Sequence, residues 1–425
     1  NGDGDTGDSV PFIYRPSTGE FEILNLAVGG AILADGAAVL IANEADHNAT
    51  DLNGDGDATD QVTHVFNTAS STLANLNWRY HSVRNVGGVV AMIARESTNG
   101  TDMNGDGVLN DDVLFVHDVA TGVTHNVGIS AGLMQASADT VIFGAFESQN
   151  GPSDLNGDGD TRDVVFHWWD VSTATLHNSG LAMDQTNPFS GSGFDMFFGS
   201  EPANGRDLNG DGRVSVRRVM HILDHATGEV SSLGLAAGFP AMSEDIVVFP
   251  VYESQQGNAD LNGDGDTQDP VVHAYDIATG VTTNLGLADS NPWVSGDLVT
   301  LSVGEWLQGA EDLNRDGDLG DRVTHIYNPA TGVTTNFRTV DSYGYAGHGF
   351  LALAVDGTLT LFSVNDDPPL EPTEADLAVS ASDRDDPITT VESASYTVTV
   401  TNNGPEAATD AWAQISLSSG VESVS

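Results

Sequence analysis

An Asp-x-Asn-x-Asp-Gly segment returns at Asp51, Asp102, Asp154, Asp207, Asp260 and Asp312, every 51 to 53 residues. A fixed period of that length confines the chain to one supersecondary unit copied along it, each copy burying its apolar face against the next. A glutamate precedes every copy by six or seven residues: Glu44, Glu96, Glu147, Glu201, Glu253 and Glu305. Residues 1–8 read as the truncated end of a seventh copy.

Superposing the copies shows the unit. Residues 291–338 carry a short segment ending at Ser295-Gly296, an apolar run over 297–304, the acidic loop, a run over 322–327, a turn at 329–332 and a last run over 333–338. The runs alternate or are β-branched, as in Val271-Val272-His273-Ala274-Tyr275, and none holds a 3.6-residue period. Four short strands in a meander follow, with the acidic loop between the second and third. The last turn carries Thr-Gly at Thr18-Gly19, Thr121-Gly122, Thr227-Gly228, Thr279-Gly280 and Thr331-Gly332, where glycine supplies a positive φ. Ser70-Ser71 and Ala174-Thr175 break that rule, which predicts different turns there. Four strands per unit at a regular period predict an all-β fold, a β-propeller of seven blades, with eight the alternative. A β-solenoid fits worse, since its repeats are shorter. The final unit, 342–364, loses the loop and should close the ring with the N-terminal strands. The propeller is assigned to residues 1–365.

These strand and turn patterns resemble the TolB-like and related bacterial propellers. The acidic loops resemble those of FG-GAP propellers of integrin type, dockerins and EF-hands. One departure stands out: in FG-GAP repeats the loop joins the first and second strands.

The loop chemistry points to Ca2+, six or seven ions in all. Oxygens at positions 1, 3 and 5 suit a hard cation, and a glycine at position 6 permits the sharp turn. The sets are Asp51, Asn53 and Asp55; Asp102, Asn104 and Asp106; Asp154, Asn156 and Asp158; Asp207, Asn209 and Asp211; Asp260, Asn262 and Asp264; Asp312, Asn314 and Asp316. The truncated copy contributes Asn1 and Asp3. Position 7 offers a backbone carbonyl, so its side chain is free to vary: Asp5, Asp57, Val108, Asp160, Arg213, Asp266 and Asp318. An EF-hand takes a bidentate glutamate at position 12, where this chain has Val62 in the first full copy. The missing ligand is sought at position 10, acidic as Asp8, Asp60, Asp111, Asp163, Asp269 and Asp321, and in the preceding glutamate. Across the neck of a hairpin these two carboxylates would face each other, and a shared cation relieves their repulsion. In the Asp207 copy Val216 fills position 10 and Arg213 adds positive charge, so that site should bind loosest. The competing reading makes the loops merely acidic turns, since Asp, Asn and Gly favour turns anyway.

Composition sets the setting. Thirteen arginines, no lysine and 62 acidic residues give a formal charge of −49. Seven divalent ions would offset about 14 of those charges. The excess argues against nucleic acid or anionic membrane as partner, and a salt-adapted surface is its plain alternative. Cysteine is absent, so metal is left to do what disulfides would. Millimolar extracellular calcium suits such loops, which places the protein outside the cell or on its surface. No apolar run approaches the roughly 20 residues of a membrane helix. The chain starts inside a repeat, so a segment ahead of Asn1 is expected, and export is inferred from chemistry.

Other residues read as structural. His64, His167, His221, His273 and His325 recur, yet Phe12 and Phe115 hold the same place in other copies, which favours packing over metal ligation. Trp168, Trp169, Trp293 and Trp306 read as core or rim. Tyr343, Tyr345 and His348 form the one cluster that departs from the repeat. Asn48-Ala49-Thr50 and Asn99-Gly100-Thr101 are glycosylation sequons. A Pro-rich acidic linker, 366–374, leads to 375–425, where Ala375 to Val379 and Ser395 to Pro405 resemble an Ig-like conserved-repeat domain of bacterial and archaeal surface proteins. About half of such a β-sandwich is present. The remainder follows Ser425 or comes from a neighbouring molecule as an added strand, the second route leading to a polymer. No Ser-His-Asp order and no phosphate loop is visible. The expected function is therefore a structural or adhesive surface module, not an enzyme, self-associating or meeting surface proteins or glycans. A secreted carbohydrate-active enzyme or lectin is the alternative.

Overall fold

A computed structural model describes residues 1–340, apart from Asp3, Asp35, Gln185, Ser290, Gly296 and Asp297, together with the strands Leu377–Asp383 and Tyr396–Asn402. The proposed closing unit with Tyr343, Tyr345 and His348, the linker, and Asp3 lie outside the described residues. The chain forms two compact units, Asn1–Gly286 and Leu287–Ser425.

A two-stranded hairpin, Phe12–Arg15 with Glu20–Ile23, comes first. Blade 1 is built from Val28–Ala34, Ala37–Asn43, Gln61–Asn67 and Thr72–Asn75. Blade 2 takes Tyr80–Val86, Val89–Arg95, Asp112–Asp118 and the first half of the long strand Val123–Ala136. The second half of that strand opens blade 3, followed by Thr140–Phe146, Val164–Asp170 and Thr175–Ala182. Blade 4 holds Phe189–Ser190, Phe194–Gly199, Val219–Asp224 and Val230–Ala236. Blade 5 holds Ala241–Met242, Ile246–Tyr252, Pro270–Asp276 and Val281–Ala288. Blade 6 holds Trp293–Ser295, Leu298–Gly304, Arg322–Asn328 and Val333–Val340. Strands pair in chain order within every blade, and the acidic loop joins the second to the third, as the sequence predicts.

Antiparallel four-stranded meanders that pack sheet on sheet are the blades of a β-propeller, and the fold is all-β. The middle strands read as near-continuous apolar runs because both of their faces are covered: every residue of Val89–Arg95 but the last is buried. Within the first unit, Val39 and Val65 of blade 1 pack on Val90 and Met92 of blade 2, and Phe166 of blade 3 on Phe197 of blade 4. The two phenylalanine rings stack at 3.9 Å, a contact contributing about 1 kcal/mol beyond area burial. The recurrent histidines belong to this packing. His64, His167, His221, His273 and His325 are buried, and each places Nδ1 within hydrogen-bond distance of the carbonyl two residues earlier. Burial lowers the pKa of all five, so they stay neutral packing groups.

One turn expectation is overturned. Ser71 and Ala174 adopt φ of 57° and 51°, the same left-handed conformation as Gly122 and Gly228 at 71° and 68°. The flanking strands dictate the hairpin, and a side chain is tolerated there at a strain of about 1–2 kcal/mol.

In the second unit, Leu377–Asp383 and Tyr396–Asn402 pair antiparallel along their full length, which shows strand at both segments without deciding the kind of domain. No helix among the described residues is long and apolar enough to cross a membrane.

Candidate metal centres

Each centre begins where the second strand of a blade runs out. The recurrent glutamate is the next residue, or in blade 4 the next but one, after Ser200, and it opens a single helical turn in blades 2 to 6, such as Glu96–Asn99 or Glu253–Gln255. It is not a solvated strand end: all six glutamates are 0% exposed. Their backbone N–H groups donate across the neck to the carbonyl of position 10, from Glu44 to Asp60 at 3.0 Å through Glu305 to Asp321 at 3.0 Å. The glutamate and position 10 therefore face each other as the sequence predicts.

The carboxylate clamps the loop. Glu44 Oε1 accepts the N–H of Leu52 at 2.7 Å, and Oε2 that of Asp60 at 2.9 Å. Glu147, Glu253 and Glu305 repeat both bonds. Position 1 turns the loop itself: Asp51 accepts the N–H groups of Gly54 and Gly56, and Asp154 and Asp260 accept those of their counterparts. Gly56 needs its φ of 101° for this turn. Arg315 takes the position-4 glycine's place in the last copy at φ 70°.

Position 10 is where the loop converges. In the first full copy the Asn53 amide donates to Asp60 Oδ2 at 3.1 Å, and the same bond recurs from Asn104, Asn156, Asn262 and Asn314. Asn1 donates likewise to Asp8 at 2.7 Å. The position-5 carboxylate crowds the same group, and one oxygen each of the glutamate, position 7 and position 10 fall within 4.8 Å of one another in four copies. Those sets are Glu44, Asp57 and Asp60; Glu147, Asp160 and Asp163; Glu253, Asp266 and Asp269; Glu305, Asp318 and Asp321. The position-7 side chain thus joins the cluster where it is aspartate. Among the described residues, the copies with Val108 and Arg213 form no such set.

Crowding shows in the acidities. Burial first, then the neighbouring aspartates, push Asp269 up to about 7. Burial likewise raises Asp111, Asp163 and Asp321 to about 6, and raises Asp60.

A divalent cation fits this donor set. Oxygens sharing one Ca2+ at its usual contact distance lie up to about 5 Å apart, and the clustered oxygens meet that limit. Glu96 makes a second case: its Oε1 accepts the N–H groups of Met103 and Asn104, while Oε2 is buried with no hydrogen-bond partner. A buried carboxylate oxygen left bare is costly unless a cation meets it. Glu201 is the opposite. Its two oxygens accept four N–H groups, from Leu208, Asn209, Ser215 and Val216, which fills the lone-pair positions.

Two features escaped the sequence reading. An amide stands three residues after each glutamate in blades 2 to 6, as Asn99, Asn150, Asn204, Gln256 and Gln308. It ties the helical turn to the chain entering the blade: in blade 3 Asn150 Oδ1 accepts the N–H of Ser130 in the first strand, and in blade 4 Asn204 Oδ1 accepts that of Ala182, the last residue of blade 3's fourth strand. The fixed offset was legible. The loops also reach the next blade. Asn104 donates to the Gln149 carbonyl, Asn156 to Ala203 and Asn209 to Gln255, while Asp106 and Asp211 accept the N–H groups of Gly151 and Gly257.

No family model matches the chain, and no curated protein matches it. Among solved structures it is similar to the tricorn protease, at 12% identity and a TM-score of 0.25, over 79% of this chain and 33% of that one. It is also similar to the β-propeller domain of the trilobed protease from Pyrococcus furiosus, at 9% identity and 0.22, over 73% and 96%, and to YjhT, at 9% and 0.26, over 72% and 95%. The chain thus spans about a third of the tricorn chain. At such scores these likenesses say nothing of activity, and the fold rests on the strand topology.

Proposed function

We propose that the chain is an extracellular, calcium-stabilised propeller that serves as a structural or adhesive surface module. In this reading Ca2+ is held by positions 1, 3, 5, 7 and 10 and, where its lone pairs are free, by the glutamate. The cation would neutralise the buried carboxylates; it takes part in no reaction. The observation that carries the reading is the recurrence of a buried, backbone-clamped glutamate beside a crowded position-10 aspartate in five of the six full copies, with Glu96 Oε2 left bare in one of them. Acidic turns made only by local propensity have no reason to bury a carboxylate beside another.

A surface role is supported by the charge of −49 and the absence of cysteine, and by the paired strands at Leu377–Asp383 and Tyr396–Asn402, which suit a segment extended by a neighbouring strand. Self-association or contact with surface proteins and glycans follows from that segment. The test is thermal unfolding in Ca2+, in EDTA, and after Ca2+ is restored. A reversible fall of many degrees in EDTA is expected; an unchanged midpoint would refute the metal. Electron micrographs of the Ca2+-loaded chain should show repeating contacts, and strictly monomeric particles at high concentration would remove the self-associating form.

A further inference from the structure

The repeats contain their own control experiment. In the second strand of blade 4 stands Asp195, where the other blades carry the buried apolar residues Ala38, Val90, Val141, Val247 and Val299. Directly after the third strand of blade 4 comes His225, where blades 2, 3 and 5 have Val119, Val171 and Ile277. Thr140 of blade 3 likewise stands where the other blades begin that strand with Ala37, Val89, Phe194, Ile246 or Leu298.

These polar replacements meet. His225 Nε2 lies 2.6 Å from Asp195 Oδ2, and the Thr140 hydroxyl donates to the same oxygen at 3.0 Å. The Ser190 hydroxyl donates to Asp195 Oδ1 at 2.7 Å. Asp195 is wholly buried, and the His225 side chain is 9% exposed. A buried ion pair of this kind gives little stability over an apolar pair of similar volume, and the sibling blades demonstrate that an apolar pair fits. Stability alone therefore does not account for it.

One atom is left over. With Nε2 committed to Asp195, Nδ1 of His225 is buried and has no hydrogen-bond partner among the described residues, a rare state for a buried polar atom. His225 lines a cleft of about 210 Å³ together with Trp168, Asp170, His177, Leu223 and Thr227. Trp168 and His177 stack at 4.8 Å to form an aromatic wall. Burial works against a charged His225, yet Asp195, then Asp139 and Asp224, outweigh it and raise its pKa. With Nε2–H given to the Asp195 carboxylate, Nδ1 accepts a hydrogen bond when the ring is neutral and donates one when it is protonated, so the ligand must offer a group able to do either, and the surrounding Asp139, Asp170 and Asp224 disfavour an anion. A neutral polyol satisfies both demands: its oxygens accept, and its hydroxyls donate to carboxylates.

We propose that this cleft binds a neutral saccharide unit, with His225 Nδ1 hydrogen-bonded to a sugar hydroxyl, Asp195 holding the imidazole and Trp168 with His177 forming the wall. The cleft sits at the end of the sheets that carries the third-to-fourth-strand turns, away from the acidic loops, so it is independent of the metal reading. Using Ca2+-loaded protein throughout keeps the two separate.

The test labels the histidines of the full chain with 15N and titrates glucose, galactose, mannose and N-acetylglucosamine, with acetate and glucuronate as anionic controls. At least one neutral sugar should move the His225 Nδ1 resonance saturably. The double substitution Asp195→Val with His225→Val recreates the apolar pair of blade 3; it should keep or raise the midpoint of unfolding and abolish the response of Trp168 fluorescence to that sugar. Asp195→Asn, which keeps the shape, should weaken binding about tenfold. No shift with any neutral sugar up to about 100 mM, far beyond a millimolar dissociation constant, would overturn the proposal, and so would a response to the anions alone.

Discussion

The loops of blades 4 and 5 share one clamp and differ in what it encloses. In blade 5, Glu253 accepts two backbone N–H groups and shares its pocket with Asp266 and Asp269. In blade 4, Glu201 accepts four, and Arg213 and Val216 replace the two aspartates. The backbone path nonetheless matches: Glu201 donates to the Val216 carbonyl at 2.9 Å, as Glu253 does to Asp269 at 3.0 Å. Loop shape is therefore set by the buried glutamate and the position-1 aspartate, whereas capacity for a cation is set by positions 7 and 10. A loop that has lost its neighbouring carboxylates turns the glutamate wholly to backbone duty.

The largest expected effect attacks the shared part. Glu253→Ala leaves the N–H groups of Leu261 and Asp269 buried without acceptors, and should destabilise the Ca2+-loaded protein by about 3 kcal/mol or more in denaturant titration; a loss below 1 kcal/mol would show the clamp to be dispensable. Next comes metal removal. Folded pKa values of about 6 for Asp111, Asp163 and Asp321 and about 7 for Asp269 lie above the unfolded value of 3.8. These groups hold extra protons in the native state, so their contribution is complete below pH 3.8 and is lost as pH rises through 6 to 7. In EDTA the unfolding midpoint should fall across that window; in excess Ca2+ the fall should vanish, and parallel curves would contradict the assignment.

Exchanging the distinguishing residues is a finer test. Val216→Asp with Arg213→Asp should convert the blade 4 loop toward the blade 5 type, adding one tight site by calorimetry and lowering stability in EDTA by about 1 kcal/mol through a new carboxylate cluster. An unchanged stoichiometry would mean that the four N–H bonds to Glu201, not the missing aspartates, decide the matter. Smallest is the release of backbone strain. Ala174→Gly and Arg315→Gly should each stabilise by about 0.5–1 kcal/mol, visible as a small rise in midpoint, and a decrease would show that those side chains make compensating contacts.

Much of this was legible in the sequence because it is written six times. The period, the four strands, the loop between the second and third, and the facing of glutamate and position 10 all follow from superposed copies. The histidines were resolved by the same comparison, since Phe115 in one copy excludes a ligand role. What the repeats hide is the single departure. Asp195 and His225 lie 30 residues apart and join no motif; they stand out only when each is set against the valines at its own register in the sibling blades, a register fixed by strand pairing. Burial was also illegible. The sequence offers Glu96 as a ligand but not its burial, and only the closed neck shows that its Oε2 lacks a partner. The Ser71 and Ala174 turns were misread for a related reason: a glycine rule describes local preference, while the strands on either side decide the geometry.

The bonds from Asn104, Asn156 and Asn209 to the helical turn of the following blade make each of these three loops a rivet, and under the proposed calcium reading a chelator as well. Sheets stacked in series fall apart one by one when their junctions are weak and melt together when the junctions are strong. Fastening position 3 to the adjoining sheet, and position 10 to position 3, ties ion occupancy to the junction itself. Draining one loop would loosen the seam beside it and lower its neighbour's hold, so that loading with Ca2+ should be steeper than independent sites allow, and stripping the ions should turn one concerted melting transition into several.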